Sequence, residues 1–315
     1  MKNRIHRTLS FFIRTMKLLS FRILLIFRIL LGCVFILSAV AKLVTVDHFE
    51  IYIYSFGFLP LNVSFVLARI CIAGELLLGV GLVSNLHGRL VNVSTVVVLL
   101  LFCIFLCYAA LIGREDNCQG FGTLLDFNPV QSLLKNAVLI LWTLLVSKVP
   151  SFSWRPRWYL WVIFVAGGVA LPFWISPPDH WVYQDSDREI PCNKPLLEEC
   201  LTTDSLFVER GSATGNRIVL FVSPRCPWCK MCVEKIQTLQ RKYDLSDSAF
   251  IYVIPQLKKP ATMNYSPIVV SRDLFTRITY GQRPIVVLVS DGVPEQSYHY
   301  RALDEKELRD FLASW

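Results

Sequence analysis

Five runs of about 20 mostly apolar residues, near 22–44, 63–84, 89–112, 131–149 and 158–176, restrict this 315-residue chain more than any other feature. A segment of that length crosses the hydrocarbon layer of a bilayer, and it must do so as a helix because lipid offers its backbone no hydrogen-bond partners. The hydrophobic share of 54% and the mean hydropathy of +0.47 agree with a membrane protein.

The net charge of +8 is unevenly spread. Lys2, Arg4, Arg7, Arg14, Lys17, Arg22 and Arg28 precede the first acid, Asp47. Arg89, Lys148, Arg155 and Arg157 fall between later spans on the same side, while Asp47, Glu50, Glu115, Asp116 and Asp126 occupy the opposite loops. Basic flanks stay in the cytoplasm, so the expected topology is five spans with the N-terminus inside and the C-terminus outside. Residues 1–21 then read as a basic cytoplasmic leader. Leu30–Cys33 and Ala39–Ala41 resemble cleavage boxes, but Arg28 interrupts the apolar region and the run continues to Val44, so an uncleaved anchor is expected. Nucleic-acid binding is not expected, because the basic residues are not interleaved with aromatics on any soluble face.

From Pro177-Pro178-Asp179 the composition turns polar, and residues 177–315 are long enough for one compact domain. Its patterns predict strands at 217–222, 249–254, 285–290 and 297–301 and helices at 227–242, 271–280 and 303–314, with Asp291-Gly292 as a hairpin turn. Cys226-Pro227-Trp228-Cys229 stands where the first strand meets the first helix. Unpaired backbone N–H groups and the positive end of the helix dipole favour the thiolate there, so Cys226 is the expected nucleophile and Cys229 the resolving thiol. Arg225 and Lys230 add positive potential. Cys232 extends the run to C-x2-C-x2-C, but no further His or Cys cluster completes a zinc site, so no metal is expected and Cys232 reads as a buried small residue.

Ten cysteines are many for a reducing compartment, and six of them (Cys118, Cys192, Cys200, Cys226, Cys229, Cys232) lie outside the apolar runs. Cys192 and Cys200 read as a structural disulfide, with a mobile shuttle pair as the alternative.

The order of strands and helices, with a dithiol at the first helix and Arg283-Pro284 before an apolar strand, resembles the thioredoxin fold over about the last third of the chain. The resemblance implies that Pro284 is cis and docks substrate beside Cys226. Leu220 stands where thioredoxin carries a buried acid.

The membrane part carries a second resemblance. Leu31-Gly32-Cys33-Val34-Phe35-Ile36-Leu37-Ser38 with Ala41-Lys42-Leu43, then Leu59-Pro60, Glu75-Leu76-Leu77-Leu78-Gly79 and Cys118-Gln119-Gly120-Phe121-Gly122, are similar to the MauE branch of the DoxX-like membrane proteins over roughly residues 25–150. That family resembles vitamin K epoxide reductase in being a four-helix redox bundle, and the resemblance implies a quinone as electron acceptor. The family loop commonly reads Cys-x-Cys-Phe-Gly, and here Gly120 replaces the second cysteine. One thiol cannot cycle a disulfide alone, so Cys118 needs a partner. Cys107, near the outer end of span three, and Cys103, one turn deeper, are the candidates. Cys33 and Cys71 read as ordinary small apolar residues. Glu75 lies near mid-depth, where a carboxylate needs a cation or a functional cavity. Lys42 and Arg69 are its candidate partners, in an ion pair or a proton-handling site.

The expected fold is therefore an α-helical membrane bundle, a four-helix core over 22–150 plus a fifth span in 151–176, followed by an α/β thioredoxin-like domain over 177–315. The expected role is a bacterial inner-membrane thiol–disulfide oxidoreductase with its C-terminal domain in the periplasm. It would promote disulfides in exported cysteine-containing clients and pass electrons through bundle cysteines to quinone. Two alternatives stand: outward delivery of reducing equivalents, and a redox-silent anchor or partner module carrying a catalytic tail.

Overall fold

The structure, a computed structural model, describes residues 2–85, 88–113, 128–149, 158–182, 189–257 and 263–313. They form two compact units, Met1–Phe49 with Leu67–Ser176 and Glu50–Val66 with Pro177–Trp315.

The first unit is helical. Helices α1 (Lys2–Val44), α3 (Leu61–Val83), α4 (Gly88–Leu111) and α5 (Pro129–Val146) each carry a stretch long and apolar enough to cross a membrane, and α2 (Val46–Tyr54) follows α1 directly. A fifth apolar helix, α6 (Trp158–Ile175), is shorter in its apolar stretch. Helix α5 starts at Pro129, two residues before the predicted boundary. Asn128 and Gln131 form a capping box there, and Pro129 occupies a first-turn position where its missing N–H costs nothing. Polarity is inverted relative to a water-soluble bundle. Leu101, Ile104, Leu134 and Leu141 are exposed, while Arg28, Lys42, Glu75, Asn92, Thr95, Ser132 and Thr143 are buried. That is the arrangement a lipid surround selects.

Small residues bring α1 and α3 together. A Cβ on Gly32 would lie 2.8 Å from the Gly79 carbonyl oxygen, and one on Gly79 would lie 2.9 Å from the Gly32 carbonyl oxygen. The two backbones are in contact at this crossing, as small-residue interfaces in membranes allow. Trp142 of α5 ties back to α1 by donating its Nε1–H to the Phe27 carbonyl at 3.1 Å.

The second unit carries the short helices α7 (Asp179–Val182) and α9 (Ser205–Val208) ahead of its first strand and is built on a five-stranded sheet. Strands β1 (Asn216–Phe221), β2 (Phe250–Pro255), β3 (Ile268–Val270), β4 (Ile285–Ser290) and β5 (Val293–His299) lie in the order β3-β2-β1-β4-β5. β1 pairs parallel with β2 and antiparallel with β4. Central β1 is covered on both faces, which is why its sequence reads as an unbroken apolar run. Ile218 and Leu220 pack with Cys229, Cys232, Ile236 and Leu239 of α10 (Pro227–Tyr243). Val219 and Phe221 pack on the other side with Leu197 and Leu201 of α8 (Lys194–Thr203) and Phe275 and Ile278 of α11 (Arg272–Thr279). Asp291 and Gly292 both have positive φ (47° and 81°), as the two-residue hairpin predicts. β5 starts four residues earlier than predicted, because Pro294 is tolerated on an edge strand beside the bulge at Leu288/Val289. The chain is thus a membrane helix bundle followed by an α/β thioredoxin-like domain.

Residues 50–66 belong to this second unit through a buried polar knot. The Glu305 carboxylate, at the start of α12 (Glu305–Ala313), accepts from Lys242 Nζ at 2.6 Å, Tyr243 Oη at 2.7 Å and the Leu61 backbone N–H at 2.8 Å. Lys242 also donates to the Leu59 carbonyl at 3.0 Å.

The close crossing makes a graded prediction. Gly79→Ala forces α1 and α3 apart and lowers the thermal midpoint in detergent, at a cost of about 1–3 kcal/mol. Gly74→Ala, on the same helix with nothing within 4 Å of its Cβ position, leaves the midpoint unchanged or slightly raised. Equal shifts for the two variants would contradict the contact.

Candidate functional site

The chain leaves β1 through Val222, Ser223, Pro224 and Arg225 and enters α10 with Cys226 as its N-cap (φ −95°, ψ 118°). The Cys226 sulfur accepts the backbone N–H of Cys229 at 3.3 Å, so it takes a role that Ser or Asp usually fills. Pro227 follows in the first turn, where no N–H is needed. The two thiols are free and differ in setting. Cys226 is half-buried at the surface beside exposed Trp228, whereas Cys229 is 1% exposed and faces the core. Burial first, then its hydrogen bond with Cys226, holds the Cys229 thiol well above the ordinary cysteine range, with the Ser223 backbone pulling the other way. One sulfur is reachable and the other is kept protonated until exchange.

Behind the pair the helix is apolar. Leu220 is fully buried and offers no carboxylate. Cys232 is fully buried too, and burial pushes its thiol up to about 12, opposed by Lys235. Pattern reading missed Lys235 and Tyr252. Lys235 is 4% exposed and donates Nζ–H to the Tyr300 carbonyl at 3.0 Å. Burial lowers its pKa, and Asp179, Cys232, Glu50 and Asp304 oppose that. Tyr252 stacks on Tyr265 with ring centroids 4.4 Å apart. Lys235 stands three residues after Cys232, on the apolar face of α10, and that phase was the available signal.

Pro284 enters the site through sheet register. Phe221 pairs with Ile285, so the start of β4 lies beside the end of β1, where the chain turns toward Cys226. The Arg283–Pro284 peptide bond is cis, in agreement with the resemblance. A groove of about 530 Å³ is lined by Arg225, Cys226, Arg272, Phe275 and Arg283, among others. A second of about 250 Å³ is lined by Trp228, Arg283, Pro284, His299, Tyr300 and Arg301. Arg283 borders both.

The bundle candidates divide. Lys42 pairs with Glu75, Ser38 donates to the same carboxylate at 2.9 Å, and Lys42 also donates to Ser38 at 3.1 Å. Arg69, the other expected cation, instead donates Nε–H to the Ser176 carbonyl at 2.6 Å. It is six residues from Glu75, which at about 100° per residue puts it on a different face of α3. Arg28 was missed as a site residue. Fully buried, it donates to Asn92 Oδ1 at 2.9 Å and to the Leu82 carbonyl at 3.3 Å, while its second terminal nitrogen has no partner. An arginine inside an apolar run was the signal that could have found it. Cys118 lies outside the described residues. Cys107 is exposed on the face of α4 that carries Ile104 and Leu111, and Cys103, one turn away, is partly buried. Both are free thiols, as are Cys33 and Cys71.

Cys192 and Cys200, expected from sequence to form a structural disulfide, are both free thiols in the structure, as Cys226 and Cys229 are. Asn193 caps α8 right after Cys192, and Cys200 is in its last turns. Burial raises both thiols, with Ser297 and Lys194 countering at Cys192.

Residues 20–148 match the family of methylamine utilisation protein MauE, a stretch that holds the four long apolar helices. Protein TlpB of Flavobacterium psychrophilum is 25% identical over 265 residues, covering 68% of this chain and 72% of that protein. No solved structure matches the chain.

The unequal settings of the thiols predict an order of modification. In native reduced protein, iodoacetamide alkylates Cys226 at least about tenfold faster than Cys229 or Cys232. Raising the pH from 7 to 9 leaves Cys232 protected, since it titrates near 12. Peptide mass mapping reads the order, and Cys232 labelling as fast as Cys226 would contradict the site.

Proposed function

We propose that this chain is a membrane-bound thiol–disulfide oxidoreductase that promotes disulfide formation in exported proteins. The observation that carries the reading is the Cys226 sulfur at the start of α10, reachable from solvent, with Cys229 buried one turn behind it.

In the oxidised protein a client thiolate attacks the Cys226 sulfur. The client–Cys226 bond forms, the Cys226–Cys229 bond breaks, and Cys229 leaves and takes up a proton, which its buried setting favours. A second client thiolate then attacks the client sulfur of the mixed disulfide and expels Cys226. The client has lost two electrons and the dithiol has gained them. Pro284, beside the same turn, docks the client chain while exchange proceeds.

In this reading the dithiol is reoxidised through the bundle. Cys118 with Cys107 or Cys103 forms the relay, and the match of residues 20–148 to MauE supports a role for the bundle beyond anchoring. A bound quinone supplies a two-electron, two-proton acceptor, so its site needs a proton-bearing group at the depth of the relay. Glu75 with Lys42 and Ser38 fits that need, since Lys42 Nζ is 5.5 Å from the ring of Phe102, the neighbour of Cys103. Those side chains would orient the acceptor and hold its protons. The basic leader and the basic turns near Arg89 and Lys148 support a periplasmic C-terminal domain at a bacterial inner membrane. The same turns, 84–88 and 147–157, contain no cysteine, which favours oxidation over outward delivery of electrons from the cytoplasm.

Trapping tests the reading. A Cys229→Ser variant accumulates reductant-sensitive adducts with exported proteins on non-reducing gels, and adding Cys226→Ser abolishes them. Adducts that survive without Cys226, or none in either variant, would overturn the assignment. In the same membranes Cys118→Ser shifts most of the Cys226–Cys229 pair to the reduced form. A pair that stays as oxidised as wild type would remove the relay and leave the bundle as an anchor.

A further inference from the structure

The two grooves beside Cys226 share a chemistry that disulfide exchange does not require. Arg225, Arg272 and Arg283 line the first, and Arg283 and Arg301 line the second, together with His299. Among the described residues no carboxylate lines either groove. The domain as a whole is close to charge-balanced, so this is local clustering rather than a basic domain. Elsewhere on the unit several cations are paired with a carboxylate. Lys194 pairs with Glu189 at 2.7 Å, Lys242 with Glu305 at 2.6 Å and Arg309 with Asp310 at 2.9 Å. Asp273, the acid next to Arg272, faces Arg277 at 3.7 Å. Arg225 and Arg283 are exposed and pair with no carboxylate among the described residues.

Guanidinium groups suit this task better than ammonium groups. Their fork of donors matches a carboxylate in two parallel hydrogen bonds. Arg301 stacks on Trp228, 5.5 Å from its ring centroid, and donates Nε–H to Tyr300 Oη at 3.1 Å, which fixes the plane of the fork. Arg283 stands immediately before Pro284, between the two grooves, and Arg225 immediately before Cys226. An extended chain crossing the dithiol therefore meets cations on both sides of its reacting cysteine.

We infer that the trough selects client segments carrying Asp or Glu within a few residues of the cysteine that reacts with Cys226. The inference rests on the oxidoreductase reading and names its substrate class. Charge complementarity identifies the occupant as an acidic extended peptide. The same field would draw an acidic client toward the site and weaken with salt.

The test uses the full chain in zwitterionic detergent with the Cys226–Cys229 pair oxidised. Two dithiol peptides are compared that differ only in having Asp and Glu, or Asn and Gln, around the cysteines. The acidic peptide is oxidised with a kcat/KM about tenfold higher at about 0.02 M salt, and the ratio falls toward one at about 0.3 M. In Arg225→Gln/Arg283→Gln the ratio collapses toward one at low salt. A ratio near one in wild type, or one that survives in the double variant, overturns the inference. Anisotropy of fluorescent peptides with Ser in place of Cys reports binding without exchange. If the acidic Ser-peptide binds through the arginines but neither dithiol peptide is oxidised, the oxidoreductase reading fails and the acidic preference stands. If anionic phospholipid vesicles bind through the same arginines while the two peptides bind equally, the trough serves a lipid headgroup and the inference fails.

Discussion

The Cys226 sulfur stands where a helix ordinarily carries a hydroxyl or carboxylate, and the rest of the second unit is arranged to keep it there. An N-cap acceptor fixes the direction in which α10 leaves the sheet, and a sulfur in that role faces free N–H groups rather than the apolar layer beneath. The core beneath then sets the partner. Cys229 and Cys232 follow along α10 at helical spacing and turn inward against Ile218 and Leu220. A reachable thiol and a sequestered one arise from a single helix start, and the difference between them is burial.

The membrane unit obeys the complementary rule. In lipid, apolar side chains gain nothing by association, so close packing of small residues and internal polar contacts must supply cohesion. Gly32 against Gly79 supplies the first, and Lys42 with Glu75 and Ser38 the second. A buried ion pair is a weak source of stability, because desolvation offsets much of its attraction. In the proposed function the same pair, beside Phe102, would also hold the acceptor's protons.

Local pattern carried the dithiol, the strand and helix order around it and Arg283-Pro284, because each depends on residues close in sequence. The apolar spans were legible for the same reason, to within a turn at their ends. What remained hidden depends on distant contacts. Leu61 and Glu305 meet across 244 positions, and no local signal assigns residues 50–66 to the second unit. Helix α8 is not visible in the sequence pattern, where Pro195 and the flanking cysteines read as a linker. Lys42 and Arg69 looked equivalent as partners of Glu75 until the face of α3 was fixed. Arg28 was visible as a charge inside an apolar run, and only the fold shows it against Asn92.

The reduction potential of the Cys226–Cys229 couple in the full chain bears most directly on the claim that this site oxidises clients. Equilibration with glutathione buffers, followed by quantification of the two thiols, gives it. A potential above about −200 mV, toward the disulfide-donating end of the known range, is predicted. A value at or below about −270 mV, that of a thioredoxin-type reductant, would contradict the direction of electron flow proposed here.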